Sequence, residues 1–187
     1  MEEEVKESPK EPPKRGTGIA SAVYWLRDLA VSVLLAVILI VFIYQPVKVE
    51  GTSMMPSLTD QERIFINKFT YRFAGIERGD MVVFWFPLDK TKSYIKRVIG
   101  LPGDTVDIEN GVVIVNGERL SEQYVPDEYR DHNTYPTVVV KPNEYYVLGD
   151  HRSSSNDSRS WGTVERSYIY GKAVFVYWPL DKMGRVK

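Results

Sequence analysis

The chain has 187 residues, room for one domain of ordinary size plus appendages. Its 24 Lys and Arg against 25 Asp and Glu leave a net charge of -1, which gives no case for nucleic-acid binding. There is no Cys and there are only two His, His132 and His151, which excludes disulfides, thiolate catalysis and Cys- or His-rich metal sites; no metal or cofactor is expected.

Residues 1–20 are rich in charge and Pro and predict a disordered tail. Ser21 is placed to cap a helix that runs to Tyr44. From Leu29 to Tyr44 nothing is charged and only Ser32 is polar, a stretch a little short of the roughly 20 residues that span a bilayer. Adding Ala22 to Leu26, with Arg27 and Asp28 near the interface, supplies the length. Trp25 and Tyr44 stand where an aromatic belt belongs. A cleaved leader would have a shorter apolar run and a small-residue site after it, whereas YQPVKVEG follows here, so a retained anchor over 21–44 is expected. Lys14, Arg15 and Arg27 precede the span and only Lys48 follows closely. That bias puts the tail in the cytoplasm and residues 45–187 outside, in a single-pass cell-membrane protein.

Beyond the span the texture changes to short β-branched and aromatic runs such as RIFINKF, MVVFWF, SYIKRVI, TVDIE, EYYVLG and KAVFVYW. Turn signals (GIERGD, LPGD, KPNE) divide them, and Asn110-Gly111 and Asn116-Gly117 are two-residue hairpin signals. A mostly antiparallel all-β body is predicted, with KFTYRF holding a short helical turn. The polar stretch SEQYVPDEYRDHNTYPT reads as an excursion, either a long loop or part of a small second lobe over about 106–140.

Three stretches could carry chemistry: GTSMMPSL from Gly51, YIKRVIGLPGD from Tyr94, and GDHRSSSNDSR from Gly149. Taken singly, each has a plain structural reading: a turn closed by Pro56, an edge strand whose Lys deters aggregation, and a solvated loop. Without Cys the nucleophile of a hydrolase is a hydroxyl or a carboxylate, and a Ser needs a base. His132 and His151 lie in polar loops and are expected to be solvated. The remaining base is a Lys made neutral by burial. Strand alternation puts Lys96 with Tyr94 and Val98, and Ile95, Arg97 and Ile99 on the other face, so that Arg97 need not be buried. By pattern alone the edge-strand role for Lys96 is favoured.

The three stretches, in this order behind an amino-terminal anchor, closely resemble the type I signal peptidases of bacteria, over about residues 25–178. The resemblance implies a membrane-bound Ser–Lys endopeptidase that removes signal peptides from exported preproteins, at the membrane lipid surface. Its all-β body has a large catalytic lobe and a smaller variable one. It implies Ser53 as nucleophile, Lys96 as general base, Ser155 as a partner that orients the Lys, and Asp157 and Arg159 as a supporting ion pair. Segments matching the family's shallow apolar pockets, which take small side chains at the first and third positions before the cut, contribute Val47, Val49, Gly51, Met54, Leu58, Tyr94 and Ile95. Two departures stand out. Gly51 occupies a position where some members carry a Ser that helps the oxyanion, so the Ser53 N–H carries more of that work. The usual GDNR is GDHR here, which places a titratable His151 near the site. A reading from another class is a non-catalytic bitopic β-domain that scaffolds partners, and a scaffold would tolerate loss of the Ser53 hydroxyl.

Overall fold

In this computed structural model, residues 18–186 are described; the expected tail lies almost wholly outside them. Helix α1 (Gly18–Ile43) has 26 residues and so a length of about 39 Å, more than the hydrocarbon thickness of a bilayer. Its described apolar side chains are exposed along nearly the whole length, and Arg27 pairs with Asp28 at 2.8 Å. The helix ends one residue before the expected Tyr44, because Tyr44 already pairs with Asn67 in a sheet.

The rest of the chain alternates strands and tight turns. In order these are β1 (Tyr44–Lys48), β2 (Arg63–Asn67), a single helical turn α2 (Thr70–Phe73), β3 (Met81–Phe86), β4 (Asp89–Gly100), β5 (Thr105–Glu109), β6 (Val112–Val115), β7 (Glu118–Arg119), β8 (Tyr135–Val139), β9 (Glu144–Leu148), α3 (Ser158–Trp161), β10 (Val164–Glu165), β11 (Ile169–Trp178) and β12 (Gly184–Arg185). The first sheet runs β1-β2-β11-β3-β4-β9-β10, with β12 beside β11, and β1 is an edge strand. The second, β7-β6-β5-β8, is built from residues 105–139, and its strand β8 comes out of the polar excursion. Every pairing is antiparallel, as the alternating runs and short turns require.

Period-2 patterning supplies the cores. Val82, Phe84, Val98, Val147 and Ile169 pack on one side of the large sheet. Ile99, Tyr146 and Leu148 join Val106, Ile108, Val113 and Val115 to weld the second sheet to the first. A third cluster of Val49, Met54, Leu58, Ile64, Met81 and Val176 lies under the segment between β1 and β2.

Both Asn-Gly turns adopt positive φ at each central residue, 49° and 77° at Asn110-Gly111 and 54° and 83° at Asn116-Gly117. They differ in surroundings. A Cβ on Gly111 would lie 1.6 Å from the carbonyl oxygen of Asp131, whereas one on Gly117 would meet nothing within 4 Å. Gly117→Ala should cost only the left-handed strain, about 1 kcal/mol, and Gly111→Ala at least about 2 kcal/mol more. Denaturant midpoints of the two variants measure that difference.

Candidate active site

Ser53 sits in the segment from Val49 to Glu62 that connects β1 to β2. The ends of this segment are tied by Val49 N–H to the Glu62 carbonyl and Gln61 N–H to the Val49 carbonyl, at 2.7 and 2.9 Å. Between them the chain turns tightly, with Met55 N–H donating to Thr52 O and Leu58 N–H to Met54 O. Gly51, at φ 95°, starts the turn, and its N–H donates to Asp60 Oδ1 at 2.8 Å. Met54 and Leu58 are the buried pegs that hold it down. The carbonyl of Ser53 receives the His151 N–H at 3.1 Å, so the backbone of Ser53 is fixed from a second strand connection.

Lys96 comes from the middle of β4, opposite Val82. It is 4 % exposed, and its Nζ donates to Ser53 Oγ at 2.6 Å. The same nitrogen stands 5.3 Å from the centre of the Tyr94 ring. Burial pulls its pKa down from 10.5 to about 8; Asp157 and Asp150 oppose this, and Arg159 assists it. A buried amine of that kind can exist neutral near physiological pH, and the contact then reverses, with the Ser hydroxyl donating to the nitrogen.

Beneath the pair lie three buried arginines, each on a carboxylate. Arg159 holds Asp157 through Nε and Nη2 at 2.8 Å each, and reaches Asp131 of the second lobe at 2.7 Å. Asp157 is fully buried, caps α3 and accepts the Gly149 N–H at 3.0 Å. Arg152 pairs with Glu122, again from the second lobe. Arg97 pairs with Asp150 at 2.6 Å and lies over the Tyr124 ring at 4.0 Å. The expectation that Arg97 need not be buried is therefore wrong: its face of β4 meets Asp150 and Tyr124, and pairing makes burial tolerable.

Ser155 lies at this site in a different way from the one implied by the family. Its Oγ is buried and has no hydrogen-bond partner among the described residues. A Cβ on Gly149 would fall 2.2 Å from that Oγ and 2.4 Å from the Ser53 carbonyl oxygen. Gly149 is thus a close-approach glycine, which a reading of GDHR as simple turn chemistry does not reveal. His151 is half-exposed; its Nδ1 stands 3.3 Å from the Thr52 carbonyl and its ring meets Tyr129 edge-on at 4.6 Å. His132 is exposed.

Next to Ser53 opens a cavity of about 190 Å³, lined by Val47, Val49, Gly51, Met54 and Ile95, with Val83, Ser93 and Tyr170 added to the expected set. Tyr170 belongs to β11, far from any of the three sequence stretches, and no local signal marks it. Leu58 and Tyr94 are not among the lining residues. Leu58 is 0 % exposed because the turn at Met54 folds it under the loop. Tyr94 shares the parity of Lys96, opposite to Ser93 and Ile95, and stacks on Phe86 at 4.6 Å.

The lowered pKa carries a stability consequence. Between pH 8 and 10.5 the unfolded chain binds a proton at Lys96 that the folded chain has released, so stability rises with pH across that window. Below pH 8 the folded protein bears the whole cost, on the order of 3 kcal/mol. Lys96→Met keeps the apolar stem and removes the charge. Denaturant titrations should find that variant at least as stable as the parent at pH 7, with a flatter slope between pH 8 and 10.5. A loss of several kcal/mol at pH 7 would instead mark Lys96 as a paired structural cation.

The family model for signal peptidase, peptidase S26, matches residues 22–178. A signal peptidase I P of Bacillus subtilis subsp. natto is 35% identical over 172 residues, covering 87% of this chain and 92% of its own. A probable signal peptidase I-1 of Synechocystis is also 35% identical, over 84% of this chain and 83% of its own. Among solved structures, a signal peptidase I from Enterococcus faecalis is 32% identical, with a TM-score of 0.47, over 53% of this chain and 97% of that one. The chain is a serine peptidase of the signal peptidase I family, peptidase family S26.

Proposed function

We propose that the chain is a membrane-anchored endopeptidase in which Ser53 and Lys96 form a catalytic dyad that removes amino-terminal signal peptides from exported preproteins. The observation that carries this reading is the 2.6 Å contact between Lys96 Nζ and Ser53 Oγ, made by an amine whose burial lowers its pKa to about 8. Neutral Lys96 takes the hydroxyl proton as Ser53 Oγ attacks the scissile carbonyl. The ammonium then protonates the leaving amine, and water activated by the same nitrogen hydrolyses the acyl-enzyme. The Ser53 N–H, which has no acceptor among the described residues, is available to the oxyanion. Gly51 leaves open space beside it.

Substrate binding follows from the edge position of β1. A strand with one free edge accepts an extended peptide by main-chain hydrogen bonds. A substrate laid along Val47 to Gly51 delivers its side chains to the cavity beside Ser53, whose volume of about 190 Å³ suits small groups. Asp157 and Arg159 support the dyad by fixing the loop that carries Gly149 and His151. Helix α1 tethers the site to the membrane surface that holds the substrate's own apolar segment, which raises their effective concentration. The charge bias places the amino terminus in the cytoplasm and the β body outside.

Incubating the purified full chain with a preprotein and sequencing the new amino terminus tests the reading: cleavage should follow a small residue, with another small residue two places before it. Ser53→Ala should lower the rate by about a thousandfold or more, and Ser154→Ala should leave it unchanged. A substrate with Phe just before the cut should resist processing. Normal turnover by Ser53→Ala, or unchanged cutting after Phe at the same bond, would overturn the assignment.

A further inference from the structure

A second cavity, of about 570 Å³, lies at the opposite end of the β1–β2 pair from Ser53. Three cations line it, Lys68, Arg72 and Arg166, and among its described lining residues there is no carboxylate. None of the three makes an ion pair among the described residues. Lys68 is exposed and makes no side-chain pair among the described residues. The Arg72 guanidinium lies over the Phe69 ring at 4.7 Å. Arg166 spends two of its donors on the carbonyls of Ile169 and Tyr71. Asn67 Oδ1 accepts the N–H groups of Phe69 and Thr70 at 2.8 and 3.0 Å, and thereby fixes the turn that carries Arg72.

The position of this cluster along the chain supplies the occupant. Lys68 N–H donates to the carbonyl of Ile43, the last residue of α1, at 3.2 Å, and Asn67 pairs with Tyr44. The basic turn is thus tied to the residue at which the apolar helix ends. Phe42 and Phe69 give the cavity an apolar wall, and neighbouring Phe73 is 88 % exposed. Cations and aromatics lining one cavity beside the end of an apolar helix are the features that an interfacial phosphate with an attached acyl chain requires.

We propose that Lys68, Arg72 and Arg166 bind the phosphate headgroup of an anionic phospholipid where the chain leaves the bilayer, so that lipid charge holds the β body to the membrane surface. This rests on the anchor reading of α1, and the two fail separately. Flotation of the full chain with phosphatidylcholine vesicles tests the anchor alone. The site is tested by native mass spectrometry of the detergent-solubilised full chain, titrated with short-chain phosphatidylglycerol, short-chain phosphatidylcholine and inorganic phosphate. Phosphatidylglycerol should bind about tenfold more tightly than phosphatidylcholine, and a Lys68→Gln/Arg72→Gln double variant should lose that preference. Cleavage of a short soluble peptide should be unchanged in the variant, which reports an intact fold. A preference that survives in the double variant, or is absent from the parent, overturns the site. Inorganic phosphate binding as tightly as the lipid overturns the lipid as occupant.

Discussion

The constraint on which the rest of this structure depends is the burial of one amine. An ammonium at Lys96 is costly in an apolar surround, and that cost is what lets the nitrogen exist neutral near physiological pH, as the proposed base requires. Two carboxylates, Asp157 and Asp150, lie close enough to raise the pKa again. Each is engaged by its own arginine, Arg159 and Arg97. Arg159 is therefore more than a partner of Asp157: its charge also lowers the Lys96 pKa and offsets part of the rise that the carboxylates cause. Both pairs are buried, so removing either member would leave an uncompensated charge under the site.

The same ion pairs explain why the second lobe matters to the first. Asp131 and Glu122 come from the connection between β7 and β8, and they hold Arg159 and Arg152. Arg159 also donates to the Arg152 carbonyl at 2.7 Å, which closes the network across the loop from Gly149 to Trp161. That loop reaches back to Ser53 through His151 N–H on its carbonyl and the tight approach of Gly149. Strand pairing alone would keep Ser53 and Lys96 apart, since β11 and β3 lie between the β1–β2 pair and β4. They meet at 2.6 Å because the segment after β1 reaches across to β4, where the loop that carries His151 holds its backbone.

Much of the fold was legible because it rests on local rules. The hairpin residues Asn110-Gly111 and Asn116-Gly117 adopt the conformations their side chains favour, and the β-branched runs became strands. Alternation correctly paired Lys96 with Tyr94 and Val98, since all three face the same way from β4. It failed at Arg97, because parity says which face a residue takes and nothing about what that face meets. The pocket role that the resemblance implied for Leu58 failed for another reason, since the turn in which its N–H bonds to Met54 folds it under the loop. Tyr170, Asp131 and Glu122 were invisible for a different reason: they are brought to the site by sheet order and lobe docking, which are long-range facts. The orphaned Ser155 hydroxyl is likewise a consequence of packing against Gly149.

The state of the Lys96 nitrogen is the central quantity, and it can be observed without catalysis. Full-length protein with isotope-labelled lysine side chains, held in detergent micelles, gives an Nζ or Cε resonance that reports protonation as pH is raised. Comparison with Lys96→Met assigns the resonance. Lys96 should titrate near pH 8, well below the free-lysine value of 10.5, and the midpoint should move when Asp157 is replaced by Asn. A Lys96 resonance that titrates near the free-lysine value of 10.5 would contradict a buried neutral amine.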